Sequence, residues 1–126
     1  MSDPAVLFVD DHPETTKLAS HHLEAVGKAR FAHAPEEALE IVAERTGPFD
    51  LLILDIHLPG DVSGTELLAA IRKRPGYDRV PALACTAQAM PGDREALLAA
   101  SFDAYLPKPF VHKECLGKVR APLASG

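Results

Sequence analysis

Short apolar runs separated by amphipathic stretches set the rhythm of this chain. Leu51-Leu52-Ile53-Leu54 is four branched apolar residues in succession, the pattern of a strand buried on both faces of a parallel sheet, and that strand is expected from Asp50 to Leu54. Ala5 to Val9 reads the same way, as do Val80 to Cys85 and Phe102 to Leu106. Lys28 to Ala32 alternates charged and apolar residues, which suits a half-exposed edge strand. Between these runs the period changes to that of helices. One is expected from Pro13 to about Val26, with Leu18, Ala19, His22, Leu23 and Val26 on its buried face and Gly27 as its stop. His21 and His22, adjacent on that helix, then face different directions. Pro35 opens a second helix with Glu36 and Glu37 in its first turn, and Gly47-Pro48 ends it. Ser63-Gly64-Thr65-Glu66 has the form of a capping box before Leu67, Leu68 and Ile71, and Pro75-Gly76 closes that third helix. A fourth runs from about Met90 to Ala100, and a short last one from Val111 to Arg120 contains Gly117 and ends at Pro122.

Strand and helix thus alternate five times with short connections and without repeats or linkers. Such alternation demands an α/β fold: a five-stranded parallel sheet with right-handed crossovers and helices on both faces, doubly wound. The 126 residues are expected to form a single domain, 1–126, with a core from about 5 to 120.

The strand ends carry the chemistry. Asp10-Asp11 follows the first strand, Asp55 closes the third, Thr86 the fourth, and Pro107-Lys108-Pro109 follows the fifth. An aspartate that closes such a strand is expected at the rim of the sheet, where α/β proteins bind ligands, and not in the core. Three carboxylates, one hydroxyl and one amine would then meet on one edge. Crowded carboxylates repel one another and call for a cation. Mg²⁺ suits them, because it takes one or two carboxylates and keeps waters that a phosphate can replace. One carboxylate can then attack phosphorus and form an acyl phosphate. The charge on the phosphoryl oxygens would be met by the metal, by Lys108 as a point charge and by the Thr86 hydroxyl.

The motifs Val9-Asp10-Asp11-His12-Pro13, Leu54-Asp55-Ile56-His57-Leu58-Pro59-Gly60, Thr86-Ala87 and Tyr105-Leu106-Pro107-Lys108-Pro109-Phe110 resemble the receiver domain of two-component response regulators, from about Ala5 to Arg120. The resemblance implies the flavodoxin-like strand order 2-1-3-4-5, which puts the first and third strands side by side. It implies that Asp55 is the phosphoacceptor, charged by a phosphohistidine of a histidine kinase or histidine phosphotransfer protein. Asp10 and Asp11 match the Mg²⁺-holding pair, Asp11 directly and Asp10 through water, and the backbone carbonyl of His57 matches a further ligand. Thr86 and Lys108 match the residues that bind the phosphoryl oxygens, and Pro109 matches a position held as a cis peptide. Tyr105 matches the switch aromatic that turns inward when Thr86 moves, and Gln88 a position that influences dephosphorylation. The face formed by the fourth helix, fifth strand and fifth helix is expected to change and to control a downstream protein. Catalysis would extend at most to self-phosphorylation and self-dephosphorylation.

The chain departs from the family pattern in places. One extra residue stands between Asp55 and Gly64, Ser101 replaces a helix-ending glycine, and Gly117 weakens the last helix. Plainer readings exist for single residues: a strand-end aspartate caps a helix, Thr86 begins a turn, Tyr105 is a half-buried aromatic. His12 and His57 are expected as solvated loop residues that could lie near the site. Two other functions compete: a pseudo-receiver that only binds partners, and a haloacid-dehalogenase-type phosphatase, which would need an aspartate where His57 stands. A flavodoxin-like FMN protein lacks its phosphate loop here. The net charge of −5 argues against nucleic acid as partner, and Arg72-Lys73-Arg74 suits the end of a helix. Cys85 and Cys115 have no metal-ligand spacing and are expected to be reduced and buried. Neither a signal segment nor a window long enough to span a membrane is seen, so a cytoplasmic location is expected.

Overall fold

The structure is a computed structural model that describes residues 4–24, 26–45, 47–56, 63–86, 102–107, 116–117 and 119. Five parallel strands, β1 (Ala5–Val9), β2 (Lys28–Ala32), β3 (Leu51–Asp55), β4 (Ala82–Thr86) and β5 (Ala104–Pro107), form one sheet in the order β2-β1-β3-β4-β5. This is the order implied by the resemblance. Among the described residues three helices lie between them, α1 (Pro13–Leu23), α2 (Pro35–Glu44) and α3 (Gly64–Arg72). The expected helices at 90–100 and 111–120, the 57–62 loop, Ser101 and Cys115 lie outside the described residues, apart from positions 116, 117 and 119.

Successive strand side chains point to opposite faces, so the apolar runs feed two cores. Leu7, Val9, Leu52, Leu54 and Ala84 pack with Ala38, Ile41 and Val42 of α2 and Leu67, Leu68 and Ile71 of α3. Val6, Phe8, Leu51, Ile53, Leu83 and Cys85 pack on the other face with Ala19 and Leu23 of α1 and with Val119. Phe8 also meets Phe31 of the edge strand, ring centroids 5.8 Å apart. Cys85 is buried and in no disulfide, as expected.

Several boundaries differ from the sequence reading. α1 stops at Leu23, and the N–H groups of Val26 and Gly27 both turn back to donate to the Leu23 carbonyl, at 2.9 and 3.1 Å. Leu18 is not on its buried face but 39% exposed. At 3.6 residues per turn it sits roughly 100° round the helix from Ala19, beyond the edge of the stripe. His22 is buried and His21 exposed, as their adjacency required. β4 starts at Ala82 and not Val80 because Pro81 has no N–H to give and Arg72 Nη1 donates to the Val80 carbonyl. The same nitrogen donates to the Tyr77 carbonyl at 2.8 Å, so Arg72 ties down the α3–β4 connection as well as ending its helix. Ser63 performs its half of the capping box, its Oγ accepting from Glu66 N–H at 3.2 Å.

Two aspartates just ahead of strands pin the sheet at its N-terminal edge. Asp50 Oδ2 accepts from Ala5 N–H at 2.7 Å, and Asp50 N–H donates to the Ala5 carbonyl at 2.8 Å. Asp103 repeats the clasp on Ala82, with both bonds at 2.8 Å. β3 therefore begins one residue later than expected, at Leu51, and β5 two residues later, at Ala104.

Candidate functional site

Register carries the strand ends to one place. Val9 lies opposite Leu54 in the β1–β3 ladder, so Asp10 and Asp55 follow at the same level on neighbouring strands. Asp55 lies opposite Cys85 in the β3–β4 ladder, and Thr86, opposite Pro107, comes one residue further on. The backbone fixes this edge from both sides. Asp10 N–H donates to the Ala32 carbonyl at 3.0 Å, and Ile56 N–H to the Cys85 carbonyl at 3.1 Å.

Gly64 holds the floor of the site. Its N–H donates to the Ile56 carbonyl at 3.0 Å, and a Cβ built at Gly64 would stand 2.2 Å from the Asp55 carbonyl oxygen. Only glycine lets α3 start so close to the β3 end.

Asp55 is at the rim, as expected, but it is not exposed there: it is 2% accessible, and Asp10 is fully buried. The backbone that overhangs a strand end can shield a short side chain that has left the apolar core. Asp11 is one-third exposed, with its Oδ1 atom buried and outside any hydrogen bond among the described residues. Ligand atoms of Asp10, Asp11, His12 and Asp55 all fall within 4.8 Å of one another.

His12 is what the sequence reading undervalued. Its ring is 62% exposed, yet Nδ1 lies 3.0 Å from Asp10 Oδ1, 3.2 Å from Asp11 Oδ1 and 3.9 Å from Asp55 Oδ2. The backbone N–H of His12 also donates to Asp10 Oδ1, at 2.8 Å. A signal was present in Pro13: a residue before proline is driven into extended conformation, and His12 has φ −93° and ψ 114°.

The donor set fits a hard divalent cation such as Mg²⁺. Three carboxylates, two of them buried, supply oxygen ligands and a concentrated negative charge within bonding range of a single ion. Of the other expected site residues, Lys108, Pro109, His57 and Gln88 lie outside the described residues, as do the side chains of Thr86 and Tyr105.

Comparison with known proteins gives a consistent picture. The family described as "Response regulator receiver domain" matches residues 6–120. The phosphate regulon transcriptional regulatory protein PhoB of Rhizobium meliloti is 37% identical over 120 residues, which are 95% of this chain and 52% of that protein. The chain therefore spans about half the length of that curated relative. A structure described as a response regulator from Chloroflexus aurantiacus superposes with a TM-score of 0.87 at 31% identity, covering 98% of this chain and 99% of the other. The receiver domain of a Pseudomonas aeruginosa sensor histidine kinase, described with a magnesium ion coordinated in its active site cleft, gives a TM-score of 0.84 at 27% identity and covers 98% and 99% of the two chains.

Proposed function

Because the chain belongs to the response regulator receiver domain family, we propose that it is a phosphoacceptor switch in which Asp55 takes a phosphoryl group from a phosphohistidine. The observation that carries this reading is the meeting of Asp10, Asp11 and Asp55 at the C-terminal edge of the sheet, with ligand atoms inside 4.8 Å. Asp10, Asp11 and Asp55, with the His57 carbonyl, would hold Mg²⁺. When bound, the ion supplies positive charge against the phosphoryl oxygens in the transition state.

The transfer itself is a displacement at phosphorus. An Asp55 carboxylate oxygen attacks, the phosphorus–nitrogen bond breaks, and the electron pair returns to the donor imidazole. Burial of Asp55 favours it, since a carboxylate held in place by two flanking strands needs little reorganisation to attack. Lys108 and the Thr86 hydroxyl would bind the transferred oxygens, Thr86 being one register step beyond Asp55 on the adjacent strand. Tyr105 would follow Thr86 inward, and Pro109 would hold the lysine's direction as a cis peptide.

The partners are a histidine kinase or histidine phosphotransfer protein on one side and a downstream target on the other. A DNA-binding output is open in a longer protein of the PhoB kind, which this chain matches over half its length. Among the described residues no helix is long and apolar enough to cross a membrane.

Incubation with a phosphorylated kinase domain or acetyl phosphate and Mg²⁺ tests the proposal. The wild-type chain should gain one acid-labile, hydroxylamine-sensitive phosphoryl group, absent from Asp55→Asn. Failure to label, together with no binding of beryllofluoride in the presence of Mg²⁺, would leave a pseudo-receiver. Undiminished labelling of Asp55→Asn would place the acceptor elsewhere.

A further inference from the structure

The role of His12 goes beyond the acidic set and rests on the cation-binding reading above. We propose that its imidazole is a ligand of that cation site and makes it selective for nitrogen-accepting first-row ions such as Ni²⁺ over Mg²⁺.

The distances carry the argument. Neighbouring ligands on an octahedral ion with bonds of about 2.1 Å stand about 3.0 Å apart, and opposite ligands about 4.2 Å. Nδ1 of His12 lies 3.0 Å from Asp10 Oδ1 and 3.2 Å from Asp11 Oδ1, adjacent-corner separations, and 3.9 Å from Asp55 Oδ2, near the opposite-corner value. The imidazole nitrogen thus stands at ligand spacing from three carboxylate oxygens, and its 3.0 Å contact with Asp10 Oδ1 is a hydrogen bond that an arriving cation would replace.

The backbone holds it there. Pro13 restricts His12 to extended geometry, and the His12 N–H bonded to Asp10 Oδ1 at 2.8 Å closes a tight turn that brings the ring over the carboxylates. The ring has no competing duty as a helix cap, for no side-chain bond caps α1. With 62% of the side chain exposed, water can complete the coordination shell, and ligation demands no burial of the ring.

Chemistry then sets the preference. Mg²⁺ favours oxygen and gains little from an imidazole, whereas Ni²⁺ binds imidazole well and stands far higher in the affinity order for mixed nitrogen and oxygen sites. A bystander imidazole that only hydrogen-bonds to Asp10 would behave in the opposite way, since a cation would have to displace it.

Calorimetric titration with Ni²⁺ and with Mg²⁺ separately, at one fixed pH, separates these cases in the wild type, His12→Ala, His12→Asn and Asp10→Asn. The expected result is one Ni²⁺ per chain in the site, weakened about tenfold or more in both His12 variants, while Mg²⁺ affinity changes less than threefold. A primary ligand should matter at least as much as the outer-shell partners whose loss costs roughly 10–100-fold. Mn²⁺-loaded wild type should also show a directly coupled ¹⁴N in electron spin-echo modulation, lost in His12→Ala. Equal Ni²⁺ affinity in wild type and His12→Ala would overturn the proposal, as would tighter binding of both ions in His12→Ala. If Mg²⁺ does not bind the wild type, or binds Asp10→Asn equally well, the cation site itself is wrong and the proposed function falls with it.

Discussion

Gly64→Ala should destabilise the protein even though it places alanine in a helix. Two terms oppose each other. Alanine is the better helix former and restricts the unfolded chain, a gain of about 0.4–1 kcal/mol where the backbone geometry is compatible. Against this, the new Cβ would meet the Asp55 carbonyl oxygen at 2.2 Å, the Asp55 carbonyl carbon at 2.9 Å and Ile56 Cα at 3.0 Å. All three are backbone atoms, so no rotamer change relieves the clash. Retreat of α3 would stretch the 3.0 Å bond from Gly64 N–H to the Ile56 carbonyl. Overpacking costs about 1–3 kcal/mol and a weakened hydrogen bond about 1 more. The net expectation is a loss of about 1–3 kcal/mol, read as a lower urea midpoint at unchanged slope. Because the displaced atoms belong to Asp55, Mg²⁺ affinity should fall in the folded variant as well. Gly117 is the control: it is helical and a Cβ there would meet nothing within 4 Å. Gly117→Ala should therefore gain up to about 1 kcal/mol. A Gly64→Ala variant as stable as wild type, with Mg²⁺ affinity intact, would refute the close-approach argument.

Two further predictions rest on single contacts. Tyr77→Phe removes the hydroxyl that accepts from buried Phe49 N–H at 3.1 Å, and leaving that donor unsatisfied should cost about 1–3 kcal/mol in urea denaturation. Asp11→Asn removes one of three negative charges whose ligand atoms lie within 4.8 Å, and at water-like screening each pair at that distance repels by about 1 kcal/mol. Its melting temperature in chelator should equal or exceed that of wild type, while the rise that millimolar Mg²⁺ gives the wild type should disappear.

Much of this was written in the order of residues. β1 and β2 have the bounds that their residue patterns set: β1 is apolar and buried at every position, and β2 alternates exposed with part-buried residues as an edge strand should. Asp10, Asp11 and Asp55 were legible as a group because each closes or follows such a run. Ends of elements were less legible wherever a distant partner decides them: Val80 looks like strand until Arg72 takes its carbonyl, and Asp50 until its carboxylate turns to Ala5. Leu18 misled because a leucine near the edge of a helical stripe is assigned to the core by composition, whereas the sheet touches only the Ala19–Leu23 side. His12 is exposed and near the site, as expected, but the direction of its ring was not legible. A loop imidazole has no period to betray its direction, and only the conformational limit set by Pro13 and the bond to Asp10 turn it toward the acids.

The two ends of the sheet divide the work of the polar residues. At the strand starts, Asp50 and Asp103 spend their carboxylates on the N–H groups of Ala5 and Ala82, one clasp joining β3 to β1 and the other β5 to β4. At the strand ends, Asp10 and Asp55 are buried beside each other, an arrangement that costs stability through desolvation and repulsion. The clasps matter to the site because register is all that aligns it. A slip of β3 by one residue against β1 would move Leu52 and Leu54 to the α1 face and carry Asp55 away from Asp10. Burial of the leucines opposes that slip from both faces, and the Asp50 clasp opposes it from the far end. The protein can thus keep carboxylates crowded at one edge, because the apolar runs and the opposite edge leave the strands no alternative alignment.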